Sequence, residues 1–350
     1  MTGQRITTAE LTAAQVIEIL ALVSAATVAD GVAPLSEHVM LHLRYDSADI
    51  AGTGIAGTGI AGGDPAAAGR SGAGRDFVVS ADGEIAGYAY LDPPSADGEV
   101  TGELVIHPDR RRQGLGRALT GELIPVAGGH VLRVWAHGDL PAAAALARAA
   151  GFERFRALWQ MRRSLREPLD RPVLPAGRTL RTFVPGRDED DWLSLNGRAF
   201  AKHPEQGGWT RHDLELRERE PWFDPAGFFI AEHDGLMAGF HWTKVHSPAS
   251  GEAAGVRGDG SPGERKSEQS LGEVYVVGVD PAEQGSGLGR ALTLAGLRHL
   301  QDVGIAQAML YVDEDNVPAI RMYEALGFTR ARVDAMYRRP PGASPRETGR

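Results

Sequence analysis

The chain has 350 residues, no cysteine and a formal net charge of −9, and 42% of its residues are hydrophobic. The lack of cysteine excludes disulfides, thiolate metal sites and a cysteine nucleophile, and the acidity argues against general binding to nucleic acid or anionic membranes. No uninterrupted apolar run reaches the ~20 residues that span a bilayer, and residues 1–10 lack a signal-peptide core. We therefore expect a cytoplasmic monomer with no nucleic-acid or membrane partner.

The first half of the chain predicts alternating helices and strands. Apolar spacing predicts a helix over residues 9–29, and Asp82–Gly83 is a turn pair that predicts a hairpin between 77–79 and 84–91. Further along we expect a strand, a helix, a short strand and an Ala-rich helix that ends at Gly151–Phe152; the strands are 99–106 and 131–135. Residues 51–75 are almost all small and predict a disordered insert.

The second half predicts the same order. Asp234–Gly235 predicts a hairpin between 228–232 and 236–245. A strand, a helix, a strand and a final Gly327–Phe328 pair follow; the predicted elements are 273–279, 288–300 and 308–312. Residues 247–270 are rich in Gly, Ser, Pro and Glu and predict a second flexible insert. Each half thus reads β–α–β–β–β–α–β–α–β.

A direct repeat supports this duplication. Residues 106–120 read IHPDRRRQGLGRALT and residues 279–293 read VDPAEQGSGLGRALT, with eight of fifteen positions identical at an offset of 173. We predict two copies of one α/β domain, 1–166 and 179–339, joined by a Pro-rich linker over 167–178 and followed by a disordered tail over 340–350.

The repeated segment has the features of an anion site. Glycines between a strand and a helix N-terminus expose consecutive N–H groups, and the helix adds partial positive charge. The segment contains no Gly-Lys-Ser/Thr and no third Rossmann glycine, so it is neither a P-loop nor a dinucleotide fingerprint. In the first half, Arg110, Arg111 and Arg117 add charge around the loop, and we expect a pyrophosphate as ligand.

Strand, then Gln/Arg-x-x-Gly-x-Gly, then helix resembles the acetyl-CoA signature of the GCN5-related N-acetyltransferases. The segment 316–328 is similar to the second motif of that family, Asn-x-x-Ala-x-x-x-Tyr-x-x-x-Gly-Phe. The resemblance covers both halves and implies an α/β (α+β) fold of two tandem acetyltransferase domains, each with a mixed twisted sheet flanked by helices. It also implies acetyl-CoA as co-substrate and no metal.

The resemblance assigns residues to the co-substrate in both halves. In the second half these are Val277, Gly278, Val279, Gln284, Gly285, Ser286, Gly287, Leu288, Gly289, Arg290, Asn316 and Arg321. In the first half they are Leu104, Val105, Ile106, Arg112, Gln113, Gly114, Leu115, Gly116 and Arg117.

The resemblance also implies the catalytic groups. Tyr323 would protonate the leaving thiolate, and Glu273 would take the amine proton, directly or through water. An offset of 176 places Ala147 where Tyr323 lies; the offset of 173 places Val100 opposite Glu273, or Glu99 after a one-residue shift. We infer that the second half catalyses and that the first half binds acetyl-CoA without turnover or only supports the fold.

Several segments resemble the branch of this family that completes mycothiol biosynthesis by acetylating the cysteinyl amine of cysteinyl-glucosaminyl-inositol. They read HPEQGGWT, EPWFDP, GFHWTKVH and LGEVYVVGV, from residues 203, 220, 239 and 271. This implies direct attack in a ternary complex, with substrate contacts from Glu37, Glu205, Lys244, Glu273 and Tyr311. The alternatives are a tandem enzyme acting on another amine, such as a peptide N-terminus or an aminoglycoside, and a non-catalytic acyl-CoA sensor.

Overall fold

The computed structural model describes residues 5–8, 10–46, 74–95, 97–202, 204–246 and 270–342. Most of the two predicted inserts, 51–73 and 247–269, and the end of the chain from 343 onward therefore lie outside the described residues. The chain divides into two compact units, 1–158 with 333–350 and 159–332.

The helices and strands follow the predicted order in each half. The first half contains β1 (Arg5–Thr7), α1 (Ala13–Asp30), α2 (Glu37–Leu41), β2 (Arg75–Ala81), β3 (Glu84–Leu91), β4 (Glu99–Ile106), α3 (Leu115–Val126), β5 (Val131–Ala136), α4 (Pro141–Ala149) and β6 (Glu153–Ser164). The second half contains β7 (Arg178–Thr182), α5 (Glu189–Ala199), α6 (Pro204–Gly207), α7 (Arg211–Glu218), β8 (Phe228–His233), β9 (Leu236–His246), β10 (Leu271–Val279), α8 (Leu288–Asp302), β11 (Gln307–Asp313), α9 (Val317–Ala325) and β12 (Thr329–Arg339).

Both units have a mixed sheet with the same strand order. In the first unit β1 to β4 are antiparallel neighbours, and β5 is parallel to β4. In the second unit β7 to β10 are antiparallel neighbours, and β11 is parallel to β10. Parallel neighbours need a crossover connection, which α3 and α8 supply.

Local chemistry explains the ends of several elements. The Thr12 side chain caps α1 and forms a capping box with Gln15, and Gly31 ends that helix in the left-handed region at φ 68°. The hairpin turns Asp82–Gly83 and Asp234–Gly235 have φ values between 50° and 86°. These are the left-handed conformations of a two-residue hairpin turn, so both predicted hairpins are confirmed.

Helices cover both faces of each sheet. In the first unit one core packs under α3 and α4 around Leu119 and Leu132, and another packs under α1 around Ile19 and Tyr88. In the second unit an aliphatic core lies under α8 and α9, whereas the opposite face holds an aromatic core; its largest members are Trp192, Phe228, Phe240 and Trp242. The predicted α/β fold of two tandem domains is confirmed.

The helix α1 is by length and composition a candidate membrane span, with 18 residues and a mean hydropathy of 1.6. It contains Glu18 and Asp30, so its apolar run is not uninterrupted. Val16, Ile19 and Leu22 on one side of the helix are buried in the core of the first unit. Packing against the sheet accounts for the apolar residues of this side, whereas Ile17 and Val28 are exposed.

The unit boundary differs from the predicted linker at 167–178. It falls inside two strands, after residue 158 in β6 and after residue 332 in β12. Residues Ala335–Arg339 of β12 pair antiparallel with β5 of the first unit, whereas Met161 and Leu165 from β6 pack in the aliphatic core of the second unit. The amino-acid sequence does not show which unit β6 and β12 join, because a strand with alternating polar and apolar residues can pair with either sheet.

Candidate active site

The second sheet opens at β10. Its pairing with β11 covers only four residue pairs, from Leu271↔Gln307 to Val274↔Leu310. A bulge between Val274 and Val276 shifts the register of β10 against β9. The remaining residues of β10, 277–279, pair with β9 on one side only among the described strands. Alternate backbone N–H groups of this segment therefore face the gap, which leaves donors available for a carbonyl or an extended amide chain.

The glycine-rich loop leads from this strand into α8. Gly285 and Gly287 have φ values of 78° and 91°, in the left-handed region that glycine adopts without a steric penalty. Gly287 is the N-cap of α8 and offers no side chain to its free N–H groups. Residues 284–287 are exposed, whereas the Leu288 side chain is fully buried. The loop therefore offers backbone N–H groups and the positive end of the helix dipole to an anion. The Leu288 N–H already donates to Ser286 Oγ at 3.3 Å.

Tyr323 lies on α9 and is 5% exposed. It packs in the aliphatic core that also contains Val274, next to the point where β10 leaves β11. Burial raises the pKa of the Tyr323 phenol to about 12. The hydroxyl is therefore protonated at neutral pH, and the same burial makes it a weaker acid than a free phenol.

Glu273 and Lys244 lie directly opposite each other on β10 and β9. Both side chains are buried, on the face of the sheet that carries the aromatic core. The Lys244 ammonium lies 4.8 Å from the centre of the Trp222 ring and 5.7 Å from that of Tyr275. These cation–π contacts compensate the burial of the ammonium group. Glu273 Oε2 lies 2.7 Å from His246 Nε2, a contact that the sequence interpretation missed.

The missed histidine has a sequence signal. His246 and Lys244 are two residues apart on one strand, so their side chains share a face, and the register brings the next strand beside them. Another histidine of that strand, His241, is fully buried; burial lowers its pKa to about 4, although its Nδ1 lies 2.7 Å from the Leu292 carbonyl oxygen. Among the residues described, no group of three or more His, Cys, Asp or Glu side chains could hold a metal ion.

Tyr311, on β11, is 38% exposed. Its hydroxyl oxygen accepts a hydrogen bond of 2.9 Å from the Gln160 amide, and Arg162 Nε donates to the Gln160 oxygen at 3.0 Å. Because the Tyr311 oxygen already accepts, its own proton is directed to another acceptor. Gln160 and Arg162 are thus supporting residues that the sequence did not indicate.

The structure gives less detail for the two other residues predicted to contact the substrate, Glu205 and Glu37. The side chain of Glu205 lies outside the described residues, as does His203. Glu37 is the first residue of α2 in the first unit.

Asn316 precedes α9, and Arg321 lies in the middle of that helix. Asn316 is the N-cap of the helix, and its Oδ1 accepts a hydrogen bond of 3.3 Å from Ala319 N. Its side chain is thus committed in part to a structural bond. Arg321 is exposed on the same helix. Arg290, in the first turn of α8, forms an exposed pair with Asp170 at 2.9 Å, which a phosphate could displace because exposed pairs contribute little stability.

The first unit has the same loop geometry. Pairing of β4 with β5 ends after Gly102↔Val134, and Gly114 begins α3 at φ 85°. Arg112, at φ 64°, occupies the position of Gly285. Two arginines that we expected to face the ligand are committed elsewhere: Arg110 pairs with Asp82 and Glu84, and Arg111 binds Asp30 through two bonds of 2.7 Å.

The acid has no equivalent in the first unit. Phe328 N donates to the Tyr323 carbonyl at 3.0 Å, and Phe152 N donates to the Ala147 carbonyl at 2.9 Å. The same backbone bond closes α9 and α4, so Ala147 stands at the position of Tyr323. A methyl group cannot donate a proton.

The predicted counterpart of Glu273 was wrong. The structure places neither Val100 nor Glu99 there, but Thr101. The pairing of β4 with β5 begins at Glu99↔Val131, and the pairing of β10 with β11 begins at Leu271↔Gln307. Glu99 therefore corresponds to Leu271. Thr101 and Glu273 each lie two residues later, so they correspond to each other. The pairing of β4 with β3 shows no register shift, whereas β10 carries the bulge. One extra residue in β10 explains the displaced alignment.

A buried ion cluster occupies the first unit just past its strand opening. Asp334 accepts a hydrogen bond of 2.7 Å from Gly138 N and lies 3.2 Å from His137 Nδ1, and Glu103 lies 3.6 Å from His137 Nε2. Burial alone would lower the pKa of His137, but its hydrogen bond to Asp334 and its ion pair with Glu103 raise that pKa to about 10. The histidine is therefore a cation that neutralises two buried carboxylates.

Comparisons with known proteins agree with this geometry. A model of the acetyltransferase (GNAT) family matches residues 192–328, and a GNAT domain model matches residues 73–154. The chain is 54% identical over 325 residues to the mycothiol acetyltransferase of Thermobispora bispora, covering 92% of this chain and 95% of that one. It is 53% identical to the mycothiol acetyltransferase of Thermomonospora curvata, covering 95% and 96% of the two chains.

Solved structures share the fold. A tandem GNAT protein from the clavulanic acid biosynthesis pathway superposes with a TM-score of 0.66 at 22% identity, covering 98% of this chain and 100% of that one. A GCN5-related N-acetyltransferase from Sphaerobacter thermophilus superposes with a TM-score of 0.61 at 21% identity, covering 95% of each chain.

Proposed function

We propose that this chain, which belongs to the GCN5-related N-acetyltransferase family, transfers the acetyl group of acetyl-CoA to the cysteinyl amine of cysteinyl-glucosaminyl-inositol. This is the mycothiol acetyltransferase activity after which its relatives are named. The second unit is the catalytic one. The observation that carries this proposal is the pair Glu273 and Tyr323, which belong to opposite faces of the sheet where β10 leaves β11; neither residue has an equivalent in the first unit.

The open edge of β10 suits the co-substrate. The N–H groups of residues 277–279 that face the gap can bind the pantetheine amides and the thioester oxygen, and the loop at 284–290 can bind the pyrophosphate. We assign further contacts to Asn316 at the start of α9 and to Arg321 within the helix. The corresponding residues of the first unit, 104–106 and 112–117, form a second acetyl-CoA site without turnover.

Amide formation then needs a base and an acid. A neutral amine attacks the thioester carbon, the tetrahedral oxyanion accepts hydrogen bonds from β10, and collapse of this intermediate expels the CoA thiolate. Glu273 takes the amine proton, directly or through one water molecule, and the neutral Tyr323 hydroxyl protonates the thiolate. The acetyl group passes directly between the two substrates, without an acetyl-enzyme.

The polar side chains beside Glu273 suit a polyhydroxylated acceptor. Lys244 donates hydrogen bonds, and Tyr311 has its hydroxyl proton directed away from Gln160. Together with Glu205 we assign these residues to the sugar and inositol hydroxyls.

The test is acceptor-dependent release of CoA thiol. Acetyl-CoA is incubated with cysteinyl-glucosaminyl-inositol or with a panel of peptide N-termini and aminoglycosides. We expect fast release with the cysteinyl compound alone, and the N-acetyl product by mass spectrometry. Release with another amine would keep the mechanism and refute the acceptor, and tight acetyl-CoA binding without release would refute catalysis and favour a sensor.

A further inference from the structure

The proposed base Glu273 has one close partner on the neighbouring strand. His246 is the last residue of β9, and it pairs with Leu271 while Lys244 pairs with Glu273. The side chains of His246 and Glu273 are 7% and 9% exposed, and their Nε2 and Oε2 atoms are 2.7 Å apart. Water does not compete for a contact that is buried to this degree.

The protonation states of the two groups determine which atom donates in the hydrogen bond between His246 and Glu273. An ionised carboxylate can only accept hydrogen bonds, so Nε2 of His246 must carry the proton. Oε2 of Glu273 is then committed to His246. Oε1 of Glu273 accepts no hydrogen bond from the residues that the structure describes. A proton that leaves the acceptor amine therefore goes to Oε1.

We propose that His246 is a positioning residue for the base. This inference rests on the proposed function, in which Glu273 accepts the amine proton. By holding Oε2, His246 fixes the rotation of the carboxylate plane and presents Oε1 to the amine.

The groups around Glu273 distinguish the positioning role of His246 from the effect of Lys244. Lys244 faces Glu273 from β9, with its ammonium over the rings of Trp222 and Tyr275. Tyr275 in turn accepts a bond of 2.7 Å from Arg217 Nε, so that arginine points to the tyrosine. From β11, Glu273 faces the uncharged Met309, and Tyr311 follows on the same face. The Lys244 charge attracts the carboxylate, but His246 is the group that holds a defined oxygen.

The experiment compares two substitutions at one position. His246→Leu removes the donor and keeps an apolar volume, whereas His246→Gln keeps an amide N–H that can bond to Oε2. The matched control is His241→Leu, which removes another buried histidine from β9; its Nδ1 contacts the Leu292 carbonyl rather than Glu273. Thermal stability and acetyl-CoA affinity are measured for each variant.

We expect His246→Leu to lower kcat about tenfold at neutral pH, as loss of one hydrogen bond to an ionised group predicts. KM for acetyl-CoA stays unchanged. His246→Gln restores most of the lost kcat, and His241→Leu leaves kcat near the wild-type value. An unchanged kcat in His246→Leu, or equal losses of kcat in His246→Leu and His241→Leu, overturns the inference.

A measurement that does not depend on enzymatic activity tests the role of His246 separately from the proposed function. In the ring ¹⁵N spectrum of the wild-type protein, His246 should show the tautomer protonated at Nε2, and Glu273→Gln should change that signal. If the wild type acetylates no amine of the panel, the proposed function fails, while the tautomer still reports on the contact. A wild-type His246 protonated only at Nδ1 refutes the positioning role whatever the activity.

Discussion

At the scale of single residues, the two units differ at the position of the side chain that we propose as the acid. Tyr323 and Ala147 occupy the same place at the end of equivalent helices, and the same backbone bond identifies both. Burial raises the pKa of Tyr323 to about 12, which keeps the phenol protonated when a thiolate leaves. The methyl group of Ala147 has no proton to donate, so this single difference leaves the first unit without the proposed acid.

Tyr323→Phe tests this role directly. Phenylalanine keeps the ring packing against Phe328 and removes only the hydroxyl. We expect turnover to fall about 10²-fold, the lower range for loss of a general acid, while acetyl-CoA affinity and unfolding temperature change little. Stopped-flow thiol detection and calorimetric binding give the two values. The control is Tyr337→Phe, since Tyr337 is a buried tyrosine that bonds to Asp139; unchanged turnover in Tyr323→Phe would remove this residue as the acid.

At the scale of elements, the bulge in β10 decides which residues face the acceptor. Val274 pairs with Thr243 and Val276 pairs with Trp242, so β10 contains one residue more than β9 at the bulge. Because side chains alternate between the two faces with a period of two, this extra residue reverses the alternation of β10 on one side of the bulge relative to the other. The uninterrupted β4 does not have this shift, and its Thr101 takes the place of the glutamate. The repeat reveals the loop and the helix but not the bulge, because the bulge at 274–276 lies before the aligned positions, which begin at 279.

The ion cluster around His137 joins β4, the end of β5 and β12. Its folded pKa of about 10 lies above the ordinary histidine value of about 6.5. The stabilisation is therefore fully present below pH ~6.5 and is lost as the pH rises through ~10, with a slope of up to about 1.4 kcal/mol per pH unit.

We expect His137→Gln to lower the free energy of unfolding by about 3 kcal/mol near pH 6.5, because it leaves two buried carboxylates unpaired. The difference from the wild type should shrink as the pH approaches 10. Urea unfolding at several pH values measures this difference. The control is His130→Gln, which alters an exposed histidine of the same unit; a deficit for His137→Gln that is independent of pH would contradict the assigned cation.

At the scale of the whole molecule, the sequence predicted the duplication, the fold and the loop, since these depend on local patterns of glycine, alternation and turn pairs. It did not predict where the units divide, because strands β6 and β12 carry no mark of the sheet that they join. It also missed His246, Gln160 and the partners of Arg111. Those contacts connect residues that are far apart in sequence, and only the register of the sheets brings them together.

The central claim is that the second unit catalyses and the first does not. Gly287 and Gly114 allow a matched test: both are helix N-caps in the left-handed region, at φ 91° and 85°, and a Cβ at either position meets nothing within 4 Å. Aspartate at either position thus carries the same backbone strain and places the same negative charge at the anion site.

The measurement is acceptor-dependent thiol release by Gly287→Asp and by Gly114→Asp. We predict that Gly287→Asp lowers kcat/KM for acetyl-CoA by at least about tenfold, since like charges at a binding site cost several kcal/mol, whereas Gly114→Asp keeps near wild-type turnover. Loss of turnover in Gly114→Asp, alone or to an equal degree in both variants, would contradict the assignment of catalysis to the second unit.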